Sequence, residues 1–543
     1  MKRLFAILMA LLPMMAQAQE KVYVSTDRRV YIAGDEIWCS LFALDGGKLS
    51  TFSAVSYLEL VSADGTVATA KVGLMEGRGA GKFRIPVNTP TGNYRLIAYT
   101  ALNPGGFAAG SQLVSVFNTT SVSRVKDGVT LVPEGAYKAG KTAFGASDGK
   151  ITISVRDNVR SGQPFTVALK NSLSGADVSV SVYALDEIKE PAVRTMASFL
   201  QDASSAASVQ TSRLPEYEGE IVYAAVEGLD ERQLDSLSDM AVATLSSAGS
   251  PSDIYVGKVG EKGKLVFFTN NIYGDRELVC EVPGQPGYIS LMDPFLYPSV
   301  DGVAPLELSS AQYGSLVQRK AALGITLQVD TLVRFLPRRQ ELLLEKVPKV
   351  HYHLDDYTRF PSFQEVVVEI LKEVRVRTVY GKRRLQLVTP DALSGRTTVK
   401  DNILVMLDGV LISDLSLLEG MDALLLEDVD VYDQTLAVGG LSFNGAVNFT
   451  TKKTYVKALQ FPSNVRVVDF KGVSYPVAYL GDPVRGDDYR PLLYWNPSLR
   501  LAPSESQVLS LTAPAYTGTF RIVAEGLTAS GEPIHEETFF EVR

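Results

Sequence analysis

The sequence predicts a mainly β chain, with tandem antiparallel β-sandwiches and one α/β unit set among them. Three observations carry that expectation. Short runs that alternate apolar and polar residues recur at sandwich spacing, bounded by Asp-Gly, Gly-Gly and Ser-Gly pairs. One stretch, 351–455, interleaves helix-period apolar patterns with strand-like runs. The length of 543 residues exceeds what one core organises, and about 100–150 residues per domain calls for several units.

The chain opens with Lys2 and Arg3, the apolar run LFAILMALLPMM and Ala16-Gln17-Ala18. That order reads as a signal peptide over 1–18, cleaved before Gln19, and it predicts export to the periplasm or to the outer membrane as a peripheral component. No other stretch is apolar over a bilayer's length, so no transmembrane helix is expected. The formal charge of −8 includes the two leader cations, so the remainder carries −10. A surface of that sign disfavours nucleic acid. With only Cys39 and Cys280, roughly 240 residues apart, the chain is no disulfide scaffold, and both lie in apolar runs that predict buried thiols.

Over 19–120 the runs KVYVSTD, DEIWCSLFAL, SYLELVSA, KFRIPV and YRLIAYTA predict one sandwich. Residues 25–37, with Asp27, Tyr31, Gly34 and Asp35, resemble the opening of a macroglobulin MG2 domain, and 91–99 resembles its final strand. Residues 118–149 read as a linker with one strand. KITISVRD, FTVALKN and VSVSVYALDE then give a second macroglobulin-like sandwich within 121–213, which ends in the Ala/Ser-rich stretch 193–213. The unit at 214–297 resembles the carboxypeptidase regulatory-like fold, with Gly219, Gly263, Lys264 and Phe267 at turn and strand positions. That likeness implies a sandwich and no peptidase activity. Residues 298–350 form a connector with one helix expected over 309–323, capped by Ser309 or Ser310.

In 351–455, Phe360-Pro361-Ser362-Phe363 predicts a helix start with Pro in the first turn, and Phe363, Val366, Val367, Ile370 and Leu371 share one face. VRVRTV and RRLQLVT read as strands. Asp408-Gly409 between apolar runs predicts a hairpin, 415–425 a second helix, and EDVDVYD and GAVNFTTKK two more strands. This order resembles the plug domain of TonB-dependent outer-membrane receptors, on Val405–Val410, Val429–Tyr432 and above all Asn444–Lys452. The resemblance stops at the plug, because 90 residues follow Lys453 and a 22-stranded barrel at ~10 residues per strand needs more than ~220. Residues 456–543, with Trp495 as an expected core anchor, resemble a further macroglobulin-type sandwich. Bacteroidetes-type envelope proteins combine such modules, and the chain looks like one of them.

Sharper chemical readings fail on spacing. His351-x-His353-x-Asp355-Asp356 resembles the first ligand run of a metallo-β-lactamase-type site, but His535 is the only other histidine. Neither cysteine lies in the Cys-Gly-Glu-Gln sequence of a macroglobulin thioester. No Gly-x-Ser-x-Gly or phosphate loop occurs, and GlyArgGlyAlaGlyLys at 77–82 reads as a hairpin turn. Gly486-Asp487-Asp488 reads as a solvated turn rather than a calcium site. The expectation is therefore a non-enzymatic binding or scaffold protein of a Gram-negative envelope, linked to TonB-dependent transport. No catalytic residue, metal or cofactor is named, and its partner is a protein, either an outer-membrane barrel or an envelope polypeptide that meets exposed strand edges. The alternative is a thioester-less, macroglobulin-like protease inhibitor with 193–213 as bait.

Overall fold

The computed structural model describes residues 20–106, 110–119, 129–134, 147–172, 174–185, 190–205, 213–249, 253–300, 302–309, 312, 333–334, 347–390, 397–453, 459–480 and 488–543. The leader at 1–18 lies outside them, as does most of the helix expected at 309–323. The chain divides into two compact units, one of residues 1–219, 295–337 and 473–543, the other of 220–294 and 338–472.

The first unit begins with the sandwich expected at 19–120. Its strands run in the order Lys21–Thr26, Glu36–Asp45, Arg78–Arg84, Gly65–Met75, Val55–Ser62, Gly92–Tyr99, Gln112–Phe117 and Val30–Ile32. Gly65–Met75 pairs with Val55–Ser62 along most of its length and with Arg78–Arg84 at its end, so one long strand serves both sheets. Alternate side chains point inward, and Val24, Leu41, Leu58, Val72, Leu96 and Val114 fill the core. Among the described residues of the expected linker is one strand, Val129–Leu131, which pairs in parallel with Leu306–Leu308.

The second sandwich differs from expectation in its parts list. A three-stranded sheet of Ile151–Ser154, Pro164–Asn171 and Ser506–Thr512 faces a five-stranded one of Asn158–Val159, Pro533–Val542, Gly518–Thr528, Ala176–Ala184 and Leu492–Leu501. The stretches read as two separate sandwiches, 121–213 and 456–543, thus supply halves of one. The physical reason is burial. Val178, Val180 and Val182 need a second apolar layer and strand neighbours on both sides, and Phe520, Ile522, Ala524, Ile534 and Phe540 complete that core. Trp495 is buried as expected, with its ring centroid 5.5 Å from that of Trp38 in the first sandwich.

In the second unit, residues 221–291 form a sandwich of Lys264–Phe268, Ile221–Glu227 and Tyr288–Leu291 against Ile254–Lys258, Val242–Ser247 and Arg276–Glu281. A fourth strand, Arg466–Phe470, joins the second sheet from the stretch assigned by sequence to the C-terminal sandwich. The helix Glu231–Leu237 was not foreseen, although Asp230 and Gln233 form the capping box that announces it.

The remaining part, 347–453, is α/β. A mixed sheet runs Val350–His353, Leu426–Tyr432, Ala446–Thr451, Leu404–Leu407, Val410–Leu411, with the third and fourth strands parallel. A second, antiparallel sheet holds Val374–Val379, Lys382–Pro390 and Thr397–Lys400. The helix Phe363–Glu369 buries Phe363, Val366 and Val367, and Ile370 and Leu371 continue the same apolar face against Val429, Leu407 and Phe449. Ser362 is its N-cap, so Pro361 precedes the helix instead of occupying its first turn. The helix expected at 415–425 is two short turns, Ser416–Glu419 and the 3-10 turn Ala423–Leu425. Gly420 ends the first, and the Asp422 carboxylate starts the second by accepting from the Leu424 N–H at 3.0 Å. Asp408 and Gly409 take φ of 49° and 82°, the left-handed pair a two-residue hairpin requires.

Candidate functional site

The most specific sequence motif of the first unit does structural work. Asp27 is fully buried and accepts from the Tyr31 hydroxyl at 2.7 Å, from the Trp38 N–H at 3.0 Å and from Arg28 Nη1 at 3.2 Å. Arg28 Nη2 reaches Asp35 at 2.8 Å, and Asp35 also accepts from the Ile32 N–H. Burial raises the Asp27 carboxyl, and Arg28 with the hydrogen bonds opposes that rise. These residues close the loop between two strands. Their donors and acceptors are spent on one another, which leaves no group directed at a ligand.

His351 and His353 lie on an outer strand, as i and i+2, and face the same way. Each meets an aspartate across the strand pair: His351 Nδ1 lies 2.8 Å from Asp430 Oδ1, and His353 Nδ1 lies 2.7 Å from Asp428 Oδ1. Hydrogen bonding to Asp428 raises the His353 pKa. Asp355 turns instead to Lys452 and Arg359, at 3.0 Å each, and its hydrogen bond from Lys452 lowers its pKa. The structure thus brings the two histidines together with Asp428 and Asp430, a pairing that the matched alternation of HYH and DVD offered as a signal. Among the described residues no group of three or more His, Cys, Asp or Glu is arranged to hold a metal.

The other chemistry-bearing residues resolve simply. Cys39 and Cys280 are buried free thiols; burial pushes Cys280 up to about 12 and Cys39 higher still. Residues 77–82 are not the hairpin loop expected: Glu76 and Gly77 make the turn and Arg78–Arg84 is a strand, in which Arg78 donates to the Pro497 carbonyl at 2.6 Å and pairs with Asp177 at 3.1 Å. Of Gly486-Asp487-Asp488 only Asp488 is described, and its carboxylate is held by Arg490 at 2.6 Å. In the Ala/Ser-rich stretch the helix Met196–Ser205 buries Met196 and Phe199 against Tyr23, Phe42 and Leu527; residues 206–212 lie outside the described ones.

A cleft lies between the sandwich and the α/β part of the second unit. It measures about 750 Å³ and is lined on one side by Met240, Pro283 and Gln285, and on the other by Arg384, Ile412 and Phe443. The hairpin Val374–Val379 and Lys382–Pro390 forms part of that second wall, through Val379, Arg383 and Arg384. Val374–Val379 is one of the two outer strands of its three-stranded sheet, Thr397–Lys400 being the other. Sequence reasoning marked VRVRTV and RRLQLVT as strands but gave their charges no role.

No protein-family profile matches the sequence, and no curated protein matches it. Among solved structures, trypsin-activated alpha-2-macroglobulin from Escherichia coli aligns over 96% of this chain and 41% of its own length, at 9% identity and a TM-score of 0.24. Salmonella alpha-2-macroglobulin reacted with methylamine aligns over 96% and 39%, at 10% identity and 0.24. The Escherichia coli adhesin FdeC aligns over 53% and 62%, at 14% and 0.14. The chain therefore spans about two fifths of the length of those macroglobulins. At scores of this size the mainly β class rests on the strands themselves. No helix among the described residues is long and apolar enough to cross a membrane.

Proposed function

We propose that the protein is an exported, non-enzymatic binding protein of a Gram-negative cell envelope, in which β-sandwiches act as scaffold and the α/β part of the second unit recognises a polypeptide. The observation that carries this reading is an outer strand, Val374–Val379, whose last residue, Val379, lines a cleft of about 750 Å³. An outer strand offers unpaired backbone donors and acceptors, and a neighbouring cleft receives the side chains of a segment that pairs with it. The resemblance of Val405–Val410, Val429–Tyr432 and Asn444–Lys452 to a TonB-dependent receptor plug supports an outer-membrane barrel or its associated protein as the partner. The leader pattern at 1–18 supports export.

Photo-crosslinking in intact cells tests both parts, with a crosslinking amino acid placed at exposed Thr378 and the protein expressed with its own leader. An adduct with an envelope protein, on a chain that begins at Gln19, is the expected result. A chain that keeps its leader in the cytoplasm, or no adduct beyond that of a probe at a buried position, overturns the reading. The inhibitor alternative needs 193–213 accessible to proteases. Burial of Met196 and Phe199 works against it, and a protease panel that retains full activity after incubation removes it.

A further inference from the structure

The outer hairpin of the second unit carries an unbalanced set of cations. Its register places Arg375 opposite Gln386, Arg377 opposite Arg384 and Val379 opposite Lys382. Opposite residues share a face and so do residues two apart. Arg375, Arg377, Lys382 and Arg384 therefore stand together on one face, while Val374, Val376, Leu385 and Leu387 turn to the core. All four cations are exposed, and none has an acidic partner within ion-pair distance among the described residues. The cation of the other face, Arg383, is taken by Glu419 at 2.9 Å. Asp401, the acid near this end of the sheet, accepts from the Gln386 side chain.

Two features of this arrangement cost stability. Like charges directly opposite each other, as Arg377 and Arg384 are, disfavour the strand pair. A second cost is the open edge. In a hairpin with a two-residue loop, here Tyr380-Gly381, the pairs Val379/Lys382, Arg377/Arg384 and Arg375/Gln386 exchange backbone bonds. The backbone N–H and C=O of Val376 and Thr378 consequently point away from the sheet, and no other backbone group among the described residues bonds to them. Local violations of this kind are expected where a site is built.

We propose that this edge binds an extended acidic polypeptide segment, which adds to the sheet as a fourth strand beside Val374–Val379. The proposal rests on the reading of the protein as a polypeptide binder. Backbone pairing with Val376 and Thr378 sets the segment's direction and register. Its period of two then lays every second side chain over Arg375 and Arg377, whose guanidinium forks match carboxylates in charge and shape. A lipid headgroup meets the cations but leaves the backbone edge unused, so the strand is the better fit to both observations.

The test uses the full chain purified without its leader and a fluorescent eight-residue peptide of alternating Glu and Val, followed by anisotropy. Binding is expected to weaken with salt. It is also expected to fall about tenfold or more on Arg377→Glu or Arg375→Glu, and on N-methylation of alternate peptide amides, since each removes charge-assisted or backbone bonds. Arg377→Glu faces Arg384 with an opposite charge, so its melting temperature is expected to match or exceed that of the parent. The proposal is overturned by equal binding of a Lys-Val peptide, by indifference to N-methylation, or by association only with phosphatidylglycerol-containing vesicles. Failure here, with an envelope adduct still formed at Thr378 in cells, removes the acidic partner and leaves the wider reading standing.

Discussion

Single side chains decide how the first unit holds together, and the most consequential is His535. It is buried between Glu525, which contacts Nδ1, and Glu537, 3.6 Å from Nε2. Tyr23 of the first sandwich donates to Glu525 at 3.0 Å, the Met196 N–H donates to the same carboxylate, and Arg521 pairs with Glu190 at 2.6 Å nearby. Burial alone lowers an imidazole's pKa, but the hydrogen bond to Glu525 and the charges of Glu525 and Glu537 outweigh it and raise His535 to about 10. The folded value lies above the unfolded one, near 6.5. Its contribution to stability is therefore complete below about pH 6.5 and lost as pH rises through about 10. We expect His535→Ala to destabilise the first unit by about 3–5 kcal/mol near pH 6, because it strands buried carboxylates. The gap from wild type should shrink towards pH 10 in urea titrations. The thiols give a second residue-scale prediction. Cys39 and Cys280, buried and held protonated, should ignore a thiol reagent in the native protein and both react once it is denatured.

At the scale of elements, short polar links fix where strands begin and end. The Asp408 side chain is buried and accepts from the Thr451 N–H at 2.8 Å and the Thr451 hydroxyl at 2.7 Å, so the hairpin turn is tied to the end of a neighbouring strand. Asp408→Ala leaves those donors buried without their acceptor and should cost about 1–3 kcal/mol in chemical denaturation. Asp408→Asn keeps one acceptor and should cost less. The Asp408-Gly409 hairpin and the apolar face of Phe363–Glu369 were legible because turn chemistry and periodicity are local signals. The second helix was overstated because apolar spacing persists across 415–425 while Gly420 and the Asp422 cap divide it into two turns. The cross-strand partners of His351 and His353 were unread for a different reason. Asp430 and Asp428 lie 79 and 75 residues away in sequence, and register decides which strand stands opposite which.

On the scale of the whole molecule, the chain returns to complete what it began. The strands Ala176–Ala184 and Pro164–Asn171 find their neighbours in Leu492–Leu501, Gly518–Thr528 and Ser506–Thr512, across more than 300 intervening residues. Removal of 488–543 should therefore strip from 151–184 every strand pairing but that of Ile151–Ser154 with Pro164–Asn171, and expose Val178, Val180 and Val182. The second unit, including its strand Arg466–Phe470, keeps its full set. Hydrogen exchange on the truncated chain should show lost protection over 151–184 and retained protection over 242–281. Lost protection in both would mean that the units do not fold separately.

The sequence by itself determined the mainly β class, the positions of many strands, the helix face at 363–371, the burial of both thiols and of Trp495, and several of the turns that punctuate them. Those features follow from residue type and period, which act over a few neighbours. Only the tertiary structure decided that two expected sandwiches are one, that Arg466–Phe470 belongs to the second unit, and that four cations share one face of an open-edged hairpin. Strand partnership is set by which apolar faces bury each other and by register, and both depend on residues far apart in the chain.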